Sequence, residues 1–344
     1  MKRLSIVSND LFLAHQNPPG HPECPERLTS ILGALESSGL MEKTVSADTR
    51  PATEEEITLV HSKPYFDMVK STSGKEFSQL DADTSTCEVS FDAALAGSGG
   101  LICSVNDILS GKIDTAFVLP RPPGHHAEHD RAMGFCLFNH VAVAGAHLLA
   151  NCGLERVLII DWDVHHGNGT QHIFYDSSSV LFFSLHQFPF YPGTGSLKEL
   201  GYKEGLGYTV NVPCPAMLGD EDYLRIFAEI LEPVVEQYSP EFILISAGFD
   251  AYQVDPLGGM LVTSEGFARL TRFVMRLAER HCGGNIAFLL EGGYNIAEMG
   301  LIMRSVIEEI LDLKVSDISF DPKRTTCEHT VSEIRRIYSK YWDF

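Results

Sequence analysis

Two aspartates and a histidine fall at alternate positions in the run Asp161-Trp162-Asp163-Val164-His165-His166-Gly167-Asn168-Gly169. Carboxylate and neutral imidazole together are ligands for zinc or a neighbouring divalent metal, and three protein ligands with one open position mark a catalytic zinc. The run follows Val157-Leu-Ile-Ile160, an apolar, largely β-branched stretch that reads as a buried strand. If the chain stays extended through the acidic part, Asp161, Asp163 and His165 point to one side. The glycines beyond signal a tight loop off the strand end. A lone D-x-H is more often a helix-capping aspartate beside a satisfied histidine. The rest of the chain decides between the two.

Several other polar, glycine-rich motifs also follow buried strands. Thr115–Leu119 reads as a strand leading into Arg121-Pro-Pro-Gly-His-His126, and Glu241–Ser246 as one ending in Ala247-Gly-Phe-Asp250. Ile286–Leu290 leads into Glu291-Gly-Gly-Tyr294. Between them lie helical patterns: Glu26 to about Ser37, Phe91–Leu109, Asn139–Asn151, Asp220–Gln237 and Thr263–His281, with a capping-box pattern at Thr53–Glu56. Met1–Val7, Val180–Ser184 and Tyr208–Val212 complete the strand candidates. Strands alternating with helices predict a mostly parallel sheet covered on both faces.

In such a sheet the strand C-termini gather along one edge, and ligands bind in the crevice there. The separate motifs then converge. Asp250 becomes the third ligand beside Asp163 and His165. The paired His125-His126, held by a Pro-Pro-Gly loop, supplies a general base near neutral pH. Tyr294 follows two glycines that permit close backbone approach and can donate to a developing oxyanion. Each motif alone is weak, since adjacent histidines are often incidental and Gly-Gly-Tyr is often a turn. Their joint order carries the active-site reading.

Composition bounds the alternatives. The 344 residues are 44% hydrophobic, enough for a sizeable core, and they contain no linker, repeat or low-complexity stretch, so one domain over 1–344 is expected. No apolar run is long enough to span a membrane, and the first residues read as a strand and not as a secretion signal. Eight scattered cysteines without a C-x-x-C pair suit free thiols in a reducing cytoplasm. A net charge of −20 argues against nucleic acid as the main partner.

Taken with Gly134-Phe-Cys-Leu-Phe-Asn139, Pro192-Gly-Thr-Gly195 and Asp255-Pro-Leu-Gly258, these motifs resemble the zinc-dependent histone deacetylase superfamily over nearly the whole chain. The similarity is greatest to class II members and bacterial histone deacetylase-like amidohydrolases. The resemblance implies the three-layer αβα arginase/deacetylase fold around a mainly parallel eight-stranded sheet, and hydrolysis of an acyl amide on an amine. It implies His126 as general base, His125 as its electrostatic partner, and Asp161 as the acceptor that fixes the His125 tautomer. Asn168 stands where class I enzymes carry aspartate, which leaves His126 less basic. Phe135, Phe190 and Tyr191 resemble walls of a narrow channel, the Gly134 carbonyl a substrate N–H acceptor, and Leu257 an apolar rim. Structural K+ or Na+ sites map to Asp161, His165, Ser184 and Leu185, and to Phe174, Ser177, Val180 and Tyr208.

The substrate expectation is an N-acyl-lysine-like amine, with acetylpolyamine as the alternative. Polyamine enzymes of this superfamily narrow their entrance with a long insertion, absent from the short His61–Phe91 connection here, and carry an acidic gatekeeper where this chain has Leu257. A non-catalytic acyl-lysine binder is disfavoured because the ligands, base and tyrosine are all present. A binuclear arginase-like centre is disfavoured because Val164 and Phe249 occupy places that would need carboxylates. A homo-oligomeric state is left open.

Overall fold

A computed structural model describes residues 2–47 and 49–344. Among the described residues there are nine strands: β1 (Leu4–Val7), β2 (Ser78–Gln79), β3 (Ser85–Thr86), β4 (Thr115–Val118), β5 (Val157–Asp161), β6 (Val180–Gln187), β7 (Thr209–Cys214), β8 (Phe242–Ala247) and β9 (Ile286–Leu290). Seven form one sheet in the order β1-β4-β9-β8-β5-β6-β7, with every neighbouring pair parallel. β2 and β3 form a separate antiparallel ribbon.

The expected eighth strand is not formed among the described residues. Beyond β1, Val45 makes one parallel bridge to Ser5, and its N–H donates to the Leu4 carbonyl at 2.8 Å.

Side chains along each strand alternate between two cores. Leu158, Ile160, Phe183, Ile243, Ile245 and Phe288 enter one, with the helices Glu26–Ser37, Ser264–His281 and Ile296–Ile310. Val157, Ile159, Phe182, Phe242, Leu244 and Leu289 enter the other, with the helices Ser90–Leu109 and His140–Asn151. Both faces are buried, which is why the strands read as continuous apolar runs. Each such side chain contributes about 1.5–3 kcal/mol through burial. No helix among the described residues is long and apolar enough to cross a membrane.

The expected helix Asp220–Gln237 is one helical segment with a wide turn inside it. Two α-helical parts, Asp220–Ile226 and Glu232–Tyr238, flank a π-helical turn at Phe227–Leu231. Pro233 has no N–H to offer the Glu229 carbonyl, so the regular ladder is interrupted there. Arg335 NH2 donates to that carbonyl instead, at 3.3 Å. The Thr53 capping box is formed, on a helix of four residues, Glu54–Ile57.

Candidate active site

The chain runs outward from β5 to β6 and β7, then returns to place β8 on the opposite side of β5. That reversal is a switch point, where ligand crevices form in open parallel sheets. The motif-bearing loops leave the C-terminal ends of β4, β9, β8 and β5, four consecutive neighbours in the sheet. They surround a cavity of about 380 Å³ lined by His126, His165, Tyr191, Leu257 and Tyr294, among others.

At its floor, Asp163, His165 and Asp250 present ligand atoms all within 4.8 Å of one another. His165 Nδ1 lies 3.1 Å from Asp163 Oδ1 and 3.1 Å from Asp250 Oδ2. Backbone donors hold the carboxylates in place: Gly292 N–H to Asp163 Oδ2 at 2.8 Å, His165 N–H to Asp163 Oδ1 at 2.9 Å, and Val164 N–H to Asp250 Oδ1 at 2.8 Å. A methyl group on Gly248 would lie 2.1 Å from Asp163 Oδ2, so only glycine fits against this carboxylate. Burial and the neighbouring Asp163 push the Asp250 carboxyl up to about 7. Burial disfavours a charged His165, yet the two carboxylates outweigh it and raise the ring to about 10. Two buried carboxylates and an imidazole around one point fit a divalent cation in both charge and donor type.

The strict side-chain alternation expected through this run is not kept. β5 ends at Asp161, and the chain then turns so that Asp161 Oδ1 accepts the Asp163 N–H at 3.1 Å. Asp161 consequently serves a different partner: its Oδ2 accepts from His125 Nδ1 at 2.9 Å. Burial alone would discharge His125, but Asp161, Asp163 and Glu291 raise it well above the ordinary histidine range. His126 moves the other way, driven well down by burial and by the facing His125 and His165.

His126 Nδ1 lies 2.7 Å from Asn168 Oδ1. The Asn168 amide nitrogen points away from it, toward Glu128 Oε1 at 2.5 Å. Asn168 therefore accepts from His126, whose proton sits on Nδ1 and whose lone pair is on Nε2.

Phe135, Phe190 and Tyr191 line the same cavity. Phe190 stacks on the His165 ring at 5.4 Å between centroids, and Tyr191 meets His126 edge-on at 5.1 Å. Phe135 meets Tyr294 edge-on at 6.0 Å. Leu257 lines the cavity, as does Gly134, whose carbonyl lies 3.2 Å from Cys136 Sγ. The residues assigned to cation sites lie at two places. Ser184 pairs with Asp161 across β5 and β6, with Leu185 next in line and His165 in the loop beyond β5. Phe174 and Ser177 close a turn before Val180 opens β6, while the Tyr208 carbonyl accepts the Phe182 N–H at 2.9 Å.

Four acidic residues without a role in the sequence reading support the site. Asp83 accepts the Gly134 N–H at 3.0 Å and lines the cavity. Asp255 accepts the Tyr294 N–H at 2.6 Å. Glu291 accepts the backbone N–H groups of Gly124 and His125, at 2.7 and 3.1 Å, and Glu128 holds Asn168. Asp255 and Glu291 open the Asp255-Pro-Leu-Gly258 and Glu291-Gly-Gly-Tyr294 motifs, whereas nothing in local spacing marks Asp83 or Glu128.

The family model for the histone deacetylase domain matches residues 21–310. Over 353 residues the chain is 37% identical to a probable deacetylase of Archaeoglobus fulgidus, covering 98% of each. It is 38% identical over 294 residues to a histone deacetylase-like amidohydrolase of Pseudomonas aeruginosa, covering 85% of this chain and 77% of the other. It also matches three Arabidopsis thaliana histone deacetylases, of whose length it spans about half. The crystal structure of the HDA15 HD domain superposes with a TM-score of 0.91 at 38% identity, covering 99% of this chain and 95% of that one. The chain belongs to the histone deacetylase family and is an enzyme that hydrolyses amides.

Proposed function

We propose that the enzyme removes an acyl group from a lysine-like primary amine carried on an extended alkyl chain. The observation that carries this reading is one cavity in which three groups meet: the Asp163/His165/Asp250 cluster, the His126 ring with its free Nε2, and Tyr294. Those three residues would hold a zinc ion, which when bound supplies Lewis-acid polarisation of the amide carbonyl and a lowered pKa for the attacking water.

The protein's own groups do the rest. His126 Nε2 accepts the proton from the attacking water and later returns it to the departing amine. His125, held cationic by Asp161, Asp163 and Glu291, offsets the negative charge that builds beside it. Tyr294 donates its hydroxyl to the carbonyl oxygen as that oxygen becomes anionic. Phe135, Phe190 and Tyr191 exclude water around an alkyl stem. The Gly134 carbonyl accepts the substrate N–H.

Leu257 at the entrance favours an apolar stem over a polycation, so acyl-lysine is preferred to acetylpolyamine. Potassium or sodium bound through Asp161, His165, Ser184 and Leu185, and through Phe174, Ser177, Val180 and Tyr208, would stiffen both ends of β6. Eight free thiols agree with a cytoplasmic setting. The test is metal analysis together with a turnover panel of acetyl-lysine peptides, longer acyl-lysines and acetylpolyamines. Stoichiometric zinc and preferred cleavage of acyl-lysine are expected. Preferred cleavage of acetylpolyamines would overturn the substrate, and turnover independent of any divalent ion would overturn the mechanism.

A further inference from the structure

Asn168 is only 2% exposed, so no bulk water competes for its amide, and which end faces His126 is settled by its protein neighbours. Its nitrogen side meets Glu128 Oε1 at 2.5 Å, the His126 carbonyl at 3.4 Å and Met133 Sδ at 3.3 Å. A carboxylate can only accept. The opposite orientation would turn the Asn168 oxygen onto the Glu128 carboxylate and its NH2 onto His126 Nδ1. His126 would then have to carry its proton on Nε2, where it could not accept one from water.

Glu128 is itself fixed. Both of its carboxylate oxygens lie against His172 Nδ1, at 2.9 and 3.0 Å. Its backbone N–H donates to the Arg131 carbonyl at 2.9 Å, and its own carbonyl accepts from His61 Nδ1 at 2.9 Å. Asn168 and His172 stand four residues apart on the helix Asn168–Ile173, so both project from one face. They clasp the same carboxylate, and the side chain of Glu128 is 12% exposed.

We infer that Glu128 is a positioning residue for the base: by locking the Asn168 amide, it holds the His126 proton on Nδ1 and keeps Nε2 open. The negative charge that Asn168 lacks is thereby supplied one residue further out. This rests on the reading of His126 as the base.

The test uses the zinc-loaded enzyme and an acetyl-lysine peptide. E128Q keeps the side chain's shape but presents both a donor and an acceptor, so the amide is no longer locked. Turnover should fall by about tenfold, the lower range for losing a group that orients a ligand or base, with KM and zinc content unchanged. N168D alone sets carboxylate against carboxylate and should also be slow. In N168D/E128Q the charge sits directly on His126 and the new amide at 128 donates to it, so turnover should return to within about threefold of the parent, a strongly non-additive result.

E128Q turnover within a factor of two of the parent would overturn the inference. So would an N168D/E128Q double variant no faster than N168D. His126→Ala, assayed in parallel, separates the two readings. If it keeps parental turnover, the base assignment falls; if it is inactive while E128Q is unaffected, only the role of Glu128 falls.

Discussion

Gly292 lies so close to the Asp250 carboxylate that a methyl group on its α-carbon would sit 2.1 Å from Asp250 Oδ2 and 2.6 Å from Asp163 Oδ2. Its N–H also donates to Asp163 Oδ2. One glycine therefore sets the spacing of both carboxylates from a strand end remote in sequence. Gly292→Ala should push the ligands apart without deleting either, while Asp250→Ala deletes one outright. Asp250→Ala is expected to lose both bound zinc and turnover. Gly292→Ala should bind zinc about ten to a hundredfold more weakly, the range for disturbing groups that orient ligands. Metal content after dialysis, with circular dichroism to confirm folding, reads both. A fully loaded, active Asp250→Ala protein would refute the ligand set.

The two adjacent histidines should separate on substitution. Burial and the facing His125 and His165 push His126 well below the ordinary histidine range, whereas Asp161, Asp163 and Glu291 raise His125 well above it. His126→Ala should cut turnover by about two to four orders of magnitude, the span expected for a general base, with zinc retained. His125→Ala should hurt less because its part is electrostatic. Equal zinc content with the larger loss at His125 would reverse the assignment.

Much of this site was legible because its parts follow a physical rule visible locally. A buried parallel strand writes a short apolar run, and the polar residue just beyond it marks the functional edge, as at Ile160–Asp161 and Ala247–Asp250. Supports acting across long separations leave no such trace. Asp255 reaches Tyr294 across 39 residues and Glu128 reaches Asn168 across 40, and no period or cap records either contact. The expected eighth strand is missing among the described residues for a related reason: strand existence depends on a partner edge, and Val45 makes a single isolated bridge to Ser5 there. The wide turn at Phe227–Leu231 could have been foreseen from Pro233, although a kink would have been an equally fair expectation.

Glu23 offers a test of stability distinct from chemistry. It is fully buried between Arg121 and Arg27, with Oε2 2.9 Å from Arg121 NH2 and Oε1 3.2 Å from Arg27 NH1. Burial alone would raise its carboxyl, but Arg121, His15 and Arg27 hold it down at about 2, against an ordinary 4.5. A depressed folded-state pKa contributes stability above the ordinary value, and that contribution is lost as pH falls from 4.5 toward 2. Glu23→Gln leaves two buried guanidinium groups without their counter-charge and should cost about 3–5 kcal/mol at neutral pH. It should also flatten the acid limb of the stability curve. Urea midpoints measured from neutral pH into that window check both, and parallel curves for the two proteins would contradict the assignment.

Tyr294 separates transition-state stabilisation from binding. Its backbone is pinned by Asp255, its ring lies under the Arg27 guanidinium at 4.9 Å, and Phe135 meets it edge-on. Burial pushes its phenol well above the ordinary tyrosine range although Arg27 opposes this, so the hydroxyl remains a donor at any working pH. The oxygen it is proposed to meet gains negative charge only as the amide is attacked, and such contacts speed the chemical step more than they tighten the ground state. Tyr294→Phe keeps the ring, the stack and the channel shape, and removes only the donor. Turnover should fall by about a hundredfold to a thousandfold, the cost of losing one oxyanion donor. Zinc content and the affinity for an uncleaved acyl-lysine peptide should stay as they are. If Tyr294 merely packs beside the Gly292-Gly293 turn, the same substitution will leave turnover within a factor of a few, and another group must supply the donor.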